Sequence, residues 1–434
     1  MELKRYLWIL CCIVISYPAC SQNQSDYTKY LKYNKQNSAS DTLPISVLGN
    51  VVQNDGSFNY LKPLKNLLSL SPERLKNIDR QDYHETLATL FSFVGDVNRA
   101  AIEFKKSGSL NEDGWAKYLL KDTNSFTITN FYAVLKNIAL NNRVIMFNEA
   151  HHIPISRTFV ASLLPHLKQY GYQYLALEAL NSDFNASDKA YMLGNYTKEP
   201  QMFNLIMYAK QLGFTIIKYE PDYFSYKHTA DARDSLQAEN LYKVLKKDPN
   251  TKIVVLAGYG HIQERIPNHT MASILQEISS INPLTINLIA FNQYTNASDT
   301  KKLYNSIAGT LKVEIPSILL RKNNFDFYQN KTYDYNVIFP FYKETYLRPN
   351  WIRLNTDYHV LKCNAIAPFQ LVQAYKENSA RSLEEITQFN VPTDQKCLMF
   401  EDKQTDLYLI PGNYLIVYRD ANYGIIKSSK KHIK

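Results

Sequence analysis

No GxxxxGK[ST] phosphate loop, no G-x-S-x-G nucleophile elbow and no complete G-x-G-x-x-G fingerprint occurs in this 434-residue sequence. The nearest approach to the last, "GYGHIQ" at 258–263, lacks the third glycine. These absences exclude P-loop nucleotide chemistry, a serine-elbow hydrolase and a dinucleotide-binding turn. Glycine itself is scarce, at 13 residues, whereas tyrosine is abundant, at 33. The tyrosine, lysine and asparagine richness reads as coding bias, with aromatic ligand binding as the alternative. Beyond the first twenty residues only Cys363 and Cys397 remain, and in an oxidising compartment those two could pair. A formal net charge of +9 comes with no nucleic-acid recognition motif. Its basic residues are scattered apart from the tail "KSSKKHIK", so the charge reads as a solvated surface and no nucleic-acid partner is expected. At 45% apolar and 21% charged the chain is not disordered, and its length allows two or three domains.

The N-terminus carries the clearest local signal. "MELKR" is a short basic region, "YLWILCCIVIS" an apolar core too short to span a bilayer, and "YPAC" a small-residue exit. Residues 1–19 therefore read as an export signal, and the exit resembles a bacterial lipoprotein signal with lipid attachment at Cys20. Tyr17 and Pro18 leave plain secretion open. The polar stretch at 20–44 suits a flexible tether between membrane and globule. The expected location is the bacterial cell envelope, at the outer membrane or its periplasmic face, with the lipid anchor as the contact to the membrane.

Residues 45–130 read as a helical cap. Leu87, Leu90, Phe91 and Val94 fall at helical spacing, Gly95-Asp96 breaks the pattern, and Ala100, Ala101 and Phe104 resume it. This looks like one hairpin of tetratricopeptide type, which cannot bury its own face and is expected to pack as a cap on the next domain, the segment that begins near residue 131. From 131 to 300 the runs "RVIMF", "YQYLALE", "FTIIKYE", "KIVVLAG" and "LTINLIAF" alternate with helical segments. Continuous apolar runs suit strands covered on both faces, so the expected fold class is α/β, a mostly parallel sheet with flanking helices. Residues 301–434 read as a mixed segment ending in a small β-rich module.

The chemistry collects at the strand ends. "RVIMFNEAHH" ends in Glu149, His151 and His152, "YQYLALEAL" in Glu178, "FTIIKYEPDY" in Glu220 with Asp222 next, and "KIVVLAGYGH" in Tyr259 and His261. In parallel α/β sheets the carboxyl edge is where ligands bind, so these groups are expected to share one pocket. Ordinary polar loop starts are the alternative. Carboxylates held together raise one another's pKa, a histidine beside a carboxylate is fixed in tautomer and becomes a better base, and such a set without thiolates also suits Zn or Mn.

Two stretches, "VIMFNEAHHIPISRTFVASLLPHLKQYGYQYLALEAL" and "ARDSLQAENLYKVLKKDPNTKIVVLAGYGHI", together resemble the superfamily that joins erythromycin esterases, ChaN-type haem-binding lipoproteins and Tiki-type metalloproteases. The likeness covers residues 140–295. The esterase motif Gly-Glu-x-x-His maps onto Glu149 and His152, and the ChaN-like Glu-x-His with a following proline onto Glu149, His151 and Pro154. The resemblance also aligns Glu178, Arg233, Asp234 and His261. Asn148 replaces the glycine usual before the first glutamate, and Gly258 stands where the esterases have a further histidine. The likeness implies a cell-envelope hydrolase of an ester, lactone or related acyl bond. Glu149, His151 or His152, Glu178 and His261 would be catalytic, and Glu220, Arg233, Asp234 and Tyr259 would bind the small-molecule substrate. Glu149, one of the two histidines, Glu178 and His261 would hold a divalent metal if one is used. The ChaN branch implies haem binding without catalysis, and a non-catalytic envelope scaffold is the third alternative.

Overall fold

The computed structural model describes residue 45 and residues 49–108, 114–180, 194–221, 229–264, 269–295, 298–322, 332–355, 358–378 and 381–434. The export signal, Cys20 and the tether lie outside the described residues, as do Asp222 and His228. Among the described residues no helix is long and apolar enough to cross a membrane.

An eight-stranded sheet forms the centre. Its strands are β1 (Phe126–Asn130), β2 (Val144–Glu149), β3 (Tyr174–Leu177), β4 (Thr215–Lys218), β5 (Ile253–Gly258), β6 (Leu284–Phe291), β7 (Ser317–Arg321) and β8 (Tyr335–Ile338), in the order β1-β7-β8-β6-β2-β5-β3-β4. From β8 through β4 the neighbours pair in parallel, and β7 alone runs against them, between β1 and β8. β2 and β5 are buried along their whole length because alternate side chains enter opposite layers. Ile145, Phe147, Val254 and Leu256 pack with Phe159, Leu163 and Leu205 of the helices Ile155–Gln169 and Pro200–Gln211. Val144, Met146, Ile253 and Val255 pack with Ala238, Leu241 and Leu275 of the helices Ala230–Leu245 and Met271–Ser279. This is the doubly covered sheet that uninterrupted apolar runs require.

The sheet outgrows the segment assigned to it from the sequence. β1 precedes residue 131, and β7 and β8 follow residue 300, so both boundaries fall inside one hydrogen-bonded sheet. The helix Gly114–Leu119, expected to belong to the cap, instead puts Ala116 and Leu119 into a cluster with Phe126, Leu303 and Tyr304 beneath that end of the sheet. These outer strands are four or five residues long and only partly apolar, which is why their pattern did not stand out.

The C-terminal region is antiparallel. After the short pair β9 (Glu344–Thr345) and β10 (Arg348–Pro349) come β11 (His359–Asn364), β12 (Gln370–Lys376), β13 (Asp394–Leu398), β14 (Gln404–Leu409), β15 (Gly412–Arg419) and β16 (Ile425–Ile433). β13-β12-β15-β16 form one sheet and β11 pairs with β14, with Cys363, Leu407, Val372 and Ile416 buried between them. Cys363 and Cys397 are both buried and both free.

The N-terminal hairpin, helices Asn77–Phe93 and Val97–Lys106, closes onto this module. Leu87, Leu90 and Phe91 share a core with Phe369, Leu371, Val391 and Met399. The turn between the helices needs a glycine: Gly95 has φ +74°, and a Cβ there would collide with the Gln395 carbonyl oxygen. The strand edge locks on through Cys397 N to Val94 O (2.9 Å), Gln395 Nε2 to Phe93 O (2.7 Å) and a buried Lys396–Asp96 ion pair at 2.8 Å.

Candidate functional site

The order β2-β5-β3-β4 sets four carboxyl ends side by side. Glu149 is level with Gly258 across β2 and β5, and Leu177 is level with both Leu256 and Lys218. Each strand stops there because a polar or turn-forming residue follows its apolar run. The expected site residues Glu149, His151, Glu178, Glu220, Arg233, Asp234 and His261 converge at this edge, although they are drawn from 113 positions of chain.

Glu149 is the inner anchor. Its two oxygens face Arg157 Nε (2.7 Å) and Nη2 (3.0 Å), and Oε1 also accepts from His151 Nδ1 at 3.0 Å. Burial alone would push this carboxyl up, but the Arg157 guanidinium and the His151 ring outweigh it and hold it at about 2. Arg157 is fully buried and passes on to Glu199 Oε2 at 3.0 Å, while its Nη2 also donates to the His151 carbonyl at 2.9 Å. Glu199 accepts from Met202 N at 2.8 Å as the cap of the following helix, and burial raises its pKa despite Arg157. Sequence reasoning passed over both Arg157 and Glu199. Their signals were an arginine inside the otherwise apolar "IPISRTFV" and a glutamate directly before Pro200 at a helix start.

Glu178 sits at the centre of the outer half. Oε1 accepts from Arg233 Nη2 at 2.7 Å and lies 3.7 Å from His261 Nε2, and Oε2 accepts from the Gly258 backbone N–H. Burial works against its charge, but His261, Arg233, His151 and the Gly258 N–H hold its pKa well below the usual carboxylate range. Arg233 also grips Glu220 through Nε (2.6 Å) and Nη2 (2.9 Å), and Nη1 approaches His261 Nε2 at 2.8 Å. Asp234 holds the other imidazole nitrogen, Nδ1, at 2.5 Å. Burial lowers the pKa of His261, yet the Glu178 and Asp234 carboxylates win and raise it above its ordinary value. With its side chain 16% exposed, His261 is the most open imidazole of the cluster.

Gly258 joins the two halves. A Cβ at this position would lie 2.5 Å from His151 Nε2, 2.7 Å from His151 Cε1 and 3.2 Å from Glu178 Oε2. The His151 ring therefore occupies the space any other residue would need.

His152 is separated from this set. Its ring stacks on Phe104 of the N-terminal hairpin at 3.8 Å, and its Nδ1 meets Tyr259 Oη at 3.2 Å. Burial, and then the nearby His151 and Arg157 charges, push its pKa well below the ordinary histidine value, so it stays neutral. Tyr259 has φ +32°, a conformation rare for a bulky residue, and is fixed on several sides. Its N–H donates to Glu149 O (3.1 Å), its carbonyl accepts from Asn148 Nδ2 (3.1 Å), and its ring packs on His151 at 5.4 Å. Asn148 points away from the cluster into a buried amide chain: Asn148 Nδ2 donates to Asn287 Oδ1 (3.0 Å), and Asn287 Nδ2 to Asn336 Oδ1 (2.8 Å).

The donor set does not fit a resident metal ion. Each carboxylate already faces a guanidinium or an imidazole, and among the described residues no group of three or more His, Cys, Asp and Glu side chains is disposed to hold one. Haem fits no better at the site's tyrosine–histidine pair, since Tyr259 and His152 are bonded to each other and packed under Phe104.

No family model matches the chain, and no curated protein matches it. Among solved structures it is similar to the type III effector HopBA1, at 14% identity and TM-score 0.28 over 38% of this chain and 88% of that one. It is also similar to RRSP, a MARTX toxin effector domain from Vibrio vulnificus, at 16% identity and TM-score 0.26 over 51% of this chain and 45% of that one. A third likeness, to a structure of bacterial protein toxins, has 12% identity and TM-score 0.29 over 63% and 69% of the two chains. Likenesses this distant carry no functional argument.

Proposed function

We propose that the carboxyl-edge cluster is the active site of a metal-independent hydrolase acting on an ester, lactone or related acyl bond. The observation that carries the reading is the pair of acid-held imidazoles, Glu149–His151 and Asp234–His261, which border Glu178 from either side. In each pair the carboxylate accepts from Nδ1–H, leaving Nε2 as the basic nitrogen. Glu149, kept ionised by Arg157, stabilises the imidazolium that forms on His151.

In the proposed reaction His151 Nε2 takes a proton from water as the water oxygen adds to the acyl carbon. The carbonyl π electrons move to oxygen, and that charge is met by the Arg233 guanidinium, which His261 Nε2 steadies by accepting from Nη1. The intermediate then collapses, the acyl C–O bond breaks, and the proton on His151 passes to the departing alkoxide. Water is the only co-reactant, and the products are an acid and an alcohol. Glu220 and Gln237 hold Arg233 in place, with Gln237 Nε2 donating to Glu220 Oε2 at 2.7 Å. His152, whose Nδ1 meets Tyr259 Oη where that of His151 meets a carboxylate, positions Tyr259 and does not act as the base.

The same reading puts the enzyme on the bacterial cell envelope, exported through residues 1–19 and lipidated at Cys20. Metabolic palmitate labelling that is lost in Cys20→Ala tests that part. For the chemistry, a panel of nitrophenyl esters and lactones would be offered to the purified protein with and without chelator. Turnover insensitive to chelator, and lowered by about 10²–10⁴-fold in His151→Gln and His261→Gln variants with intact circular dichroism, supports the assignment. Turnover equal to wild type in those variants defeats it. Inertness of the wild type towards the panel marks the cluster as a structural ion-pair network.

A further inference from the structure

A second polar site lies outside the sheet-edge cluster, in the cleft between the helix Leu61–Leu68 and the turn that joins β15 to β16. The cleft holds about 210 Å³ and is lined by Asn59, Lys62, Lys65, Asn66, Ser69 and Asn422. Positions 62, 65, 66 and 69 recur at helical spacing, so the helix turns one polar face into the cleft while Leu61, Leu64, Leu67 and Leu68 fill the core behind it.

We propose that this cleft binds the phosphate group of a small phosphorylated polyol or sugar. Both of its ammonium groups are held by neutral acceptors. Lys62 Nζ donates to Gln53 Oε1 at 3.0 Å, and Lys65 Nζ to the Ala421 carbonyl at 2.8 Å and Asn422 Oδ1 at 3.3 Å. Neither meets a carboxylate among the described residues, although the ion pairs elsewhere show that this chain readily supplies one. The carboxylate of the adjoining turn, Asp420, is taken up by the backbone N–H groups of Asn422 and Gly424, both at 2.9 Å. Two uncompensated charges one helical turn apart suit an oxyanion with several acceptor oxygens.

The remaining lining groups supply what a hydroxylated body needs. Asn59 Oδ1 is committed to the backbone N–H groups of Leu61 (3.2 Å) and Lys62 (2.9 Å), so its NH₂ is what it offers a ligand. Ser69 Oγ gives its proton to the Asn66 carbonyl at 2.7 Å and presents lone pairs to a ligand hydroxyl. Because the Lys65–Ala421 bond links positions 356 apart, occupancy of the cleft also ties the N-terminal helix to the C-terminal sheet. This site stands independently of the proposed hydrolase.

Calorimetric titration of the whole protein with inorganic phosphate and glucose 6-phosphate, with glucose as control, tests the proposal. Saturable one-to-one binding of both phosphates is expected, tighter for glucose 6-phosphate. It should weaken by roughly tenfold in Lys62→Gln and by more in Lys62→Gln/Lys65→Gln, and stay unchanged in Lys136→Gln, an exposed control. Lys62→Gln alone keeps the Lys65–Ala421 bond, so its result stands even if the double variant unfolds. A parallel arm with phosphatidylglycerol and phosphatidylcholine vesicles separates the sources. Capture by the former that free phosphate blocks and Lys62→Gln abolishes identifies a lipid headgroup, and no capture identifies a soluble ligand. Absence of saturable phosphate binding, or equal binding by the Lys62→Gln variant, overturns the proposal.

Discussion

Gly258→Ala is the most local perturbation that tests the architecture of the sheet-edge cluster. Gly258 ends β5 beside Glu149, and its φ lies outside the left-handed region, so the backbone itself accepts alanine. The effect is steric. The added methyl would lie 2.5 Å from His151 Nε2 and 3.2 Å from Glu178 Oε2, against an ordinary carbon contact of about 3.5–4.0 Å. The imidazole must retreat by about 1 Å. It is held by Glu149 at 3.0 Å on one side and stacked on Tyr196 at 4.1 Å on its face, so the retreat breaks at least one of those contacts. Overpacking of this kind costs about 1–3 kcal/mol, and losing a charge-assisted hydrogen bond adds about 1–2 kcal/mol. A displacement near 1 Å at the base also lowers turnover by about 10²-fold. Urea denaturation and steady-state ester hydrolysis read the two effects. Gly260→Ala is the control: a methyl there meets only the Gln263 amide, at 3.7 and 3.8 Å, and should cost under about 0.5 kcal/mol. A Gly258→Ala protein with wild-type midpoint and wild-type turnover would refute the reasoning.

Three further outcomes follow from the same geometry. Glu149 is held at about 2 against an ordinary 4.5, so its stabilisation is complete above pH 4.5 and is lost as pH falls through 2. By linkage it amounts to about 3 kcal/mol, and Glu149→Gln should flatten that acid limb in pH-dependent denaturation. The same variant leaves Arg157 buried with only Glu199 opposite, at a cost of about 3–5 kcal/mol. The raised pKa of His261 acts in the opposite sense. Its contribution is full below pH 6.5 and declines as pH rises through the folded value, so the stability difference between wild type and His261→Asn should shrink with increasing pH in the same experiment. Gly95→Ala sets a methyl against the Gln395 carbonyl at a φ of +74° and should cost more than about 2 kcal/mol, with the loss of Lys396 and Cys397 amide protection read by hydrogen exchange. Unchanged protection would refute that account of the hairpin docking.

The sequence made the inner sheet legible because β2, β3, β5 and β6 are buried on both faces, and such strands print themselves as uninterrupted apolar runs. β1, β7 and β8 were missed because short outer strands leave no run and β7 reverses direction. Residues at the strand ends could be gathered from the parallel topology alone, since its register places Glu149, Gly258 and Glu178 side by side. What that reasoning could not supply was the partner of each group. Arg157 lies inside a helix and Glu199 opens another, and only coordinates show that both turn under Glu149. The difference in surroundings between the adjacent histidines was equally closed to sequence. It depends on Phe104, which lies 48 positions before His152 and reaches it from the helical hairpin. The hairpin itself was legible down to its Gly95-Asp96 break, but its docking on the C-terminal sheet is a contact between segments some 300 positions apart, on which no local pattern bears.

The most direct test is the turnover of His151→Gln beside His152→Gln on one ester that the wild-type protein hydrolyses, with folding of both variants verified. The account predicts a loss of about 10³-fold for the first and a far smaller loss for the second, because Glu149 fixes the base on His151 while His152 only props Tyr259. Wild-type turnover in His151→Gln, or a larger loss in His152→Gln, would contradict it.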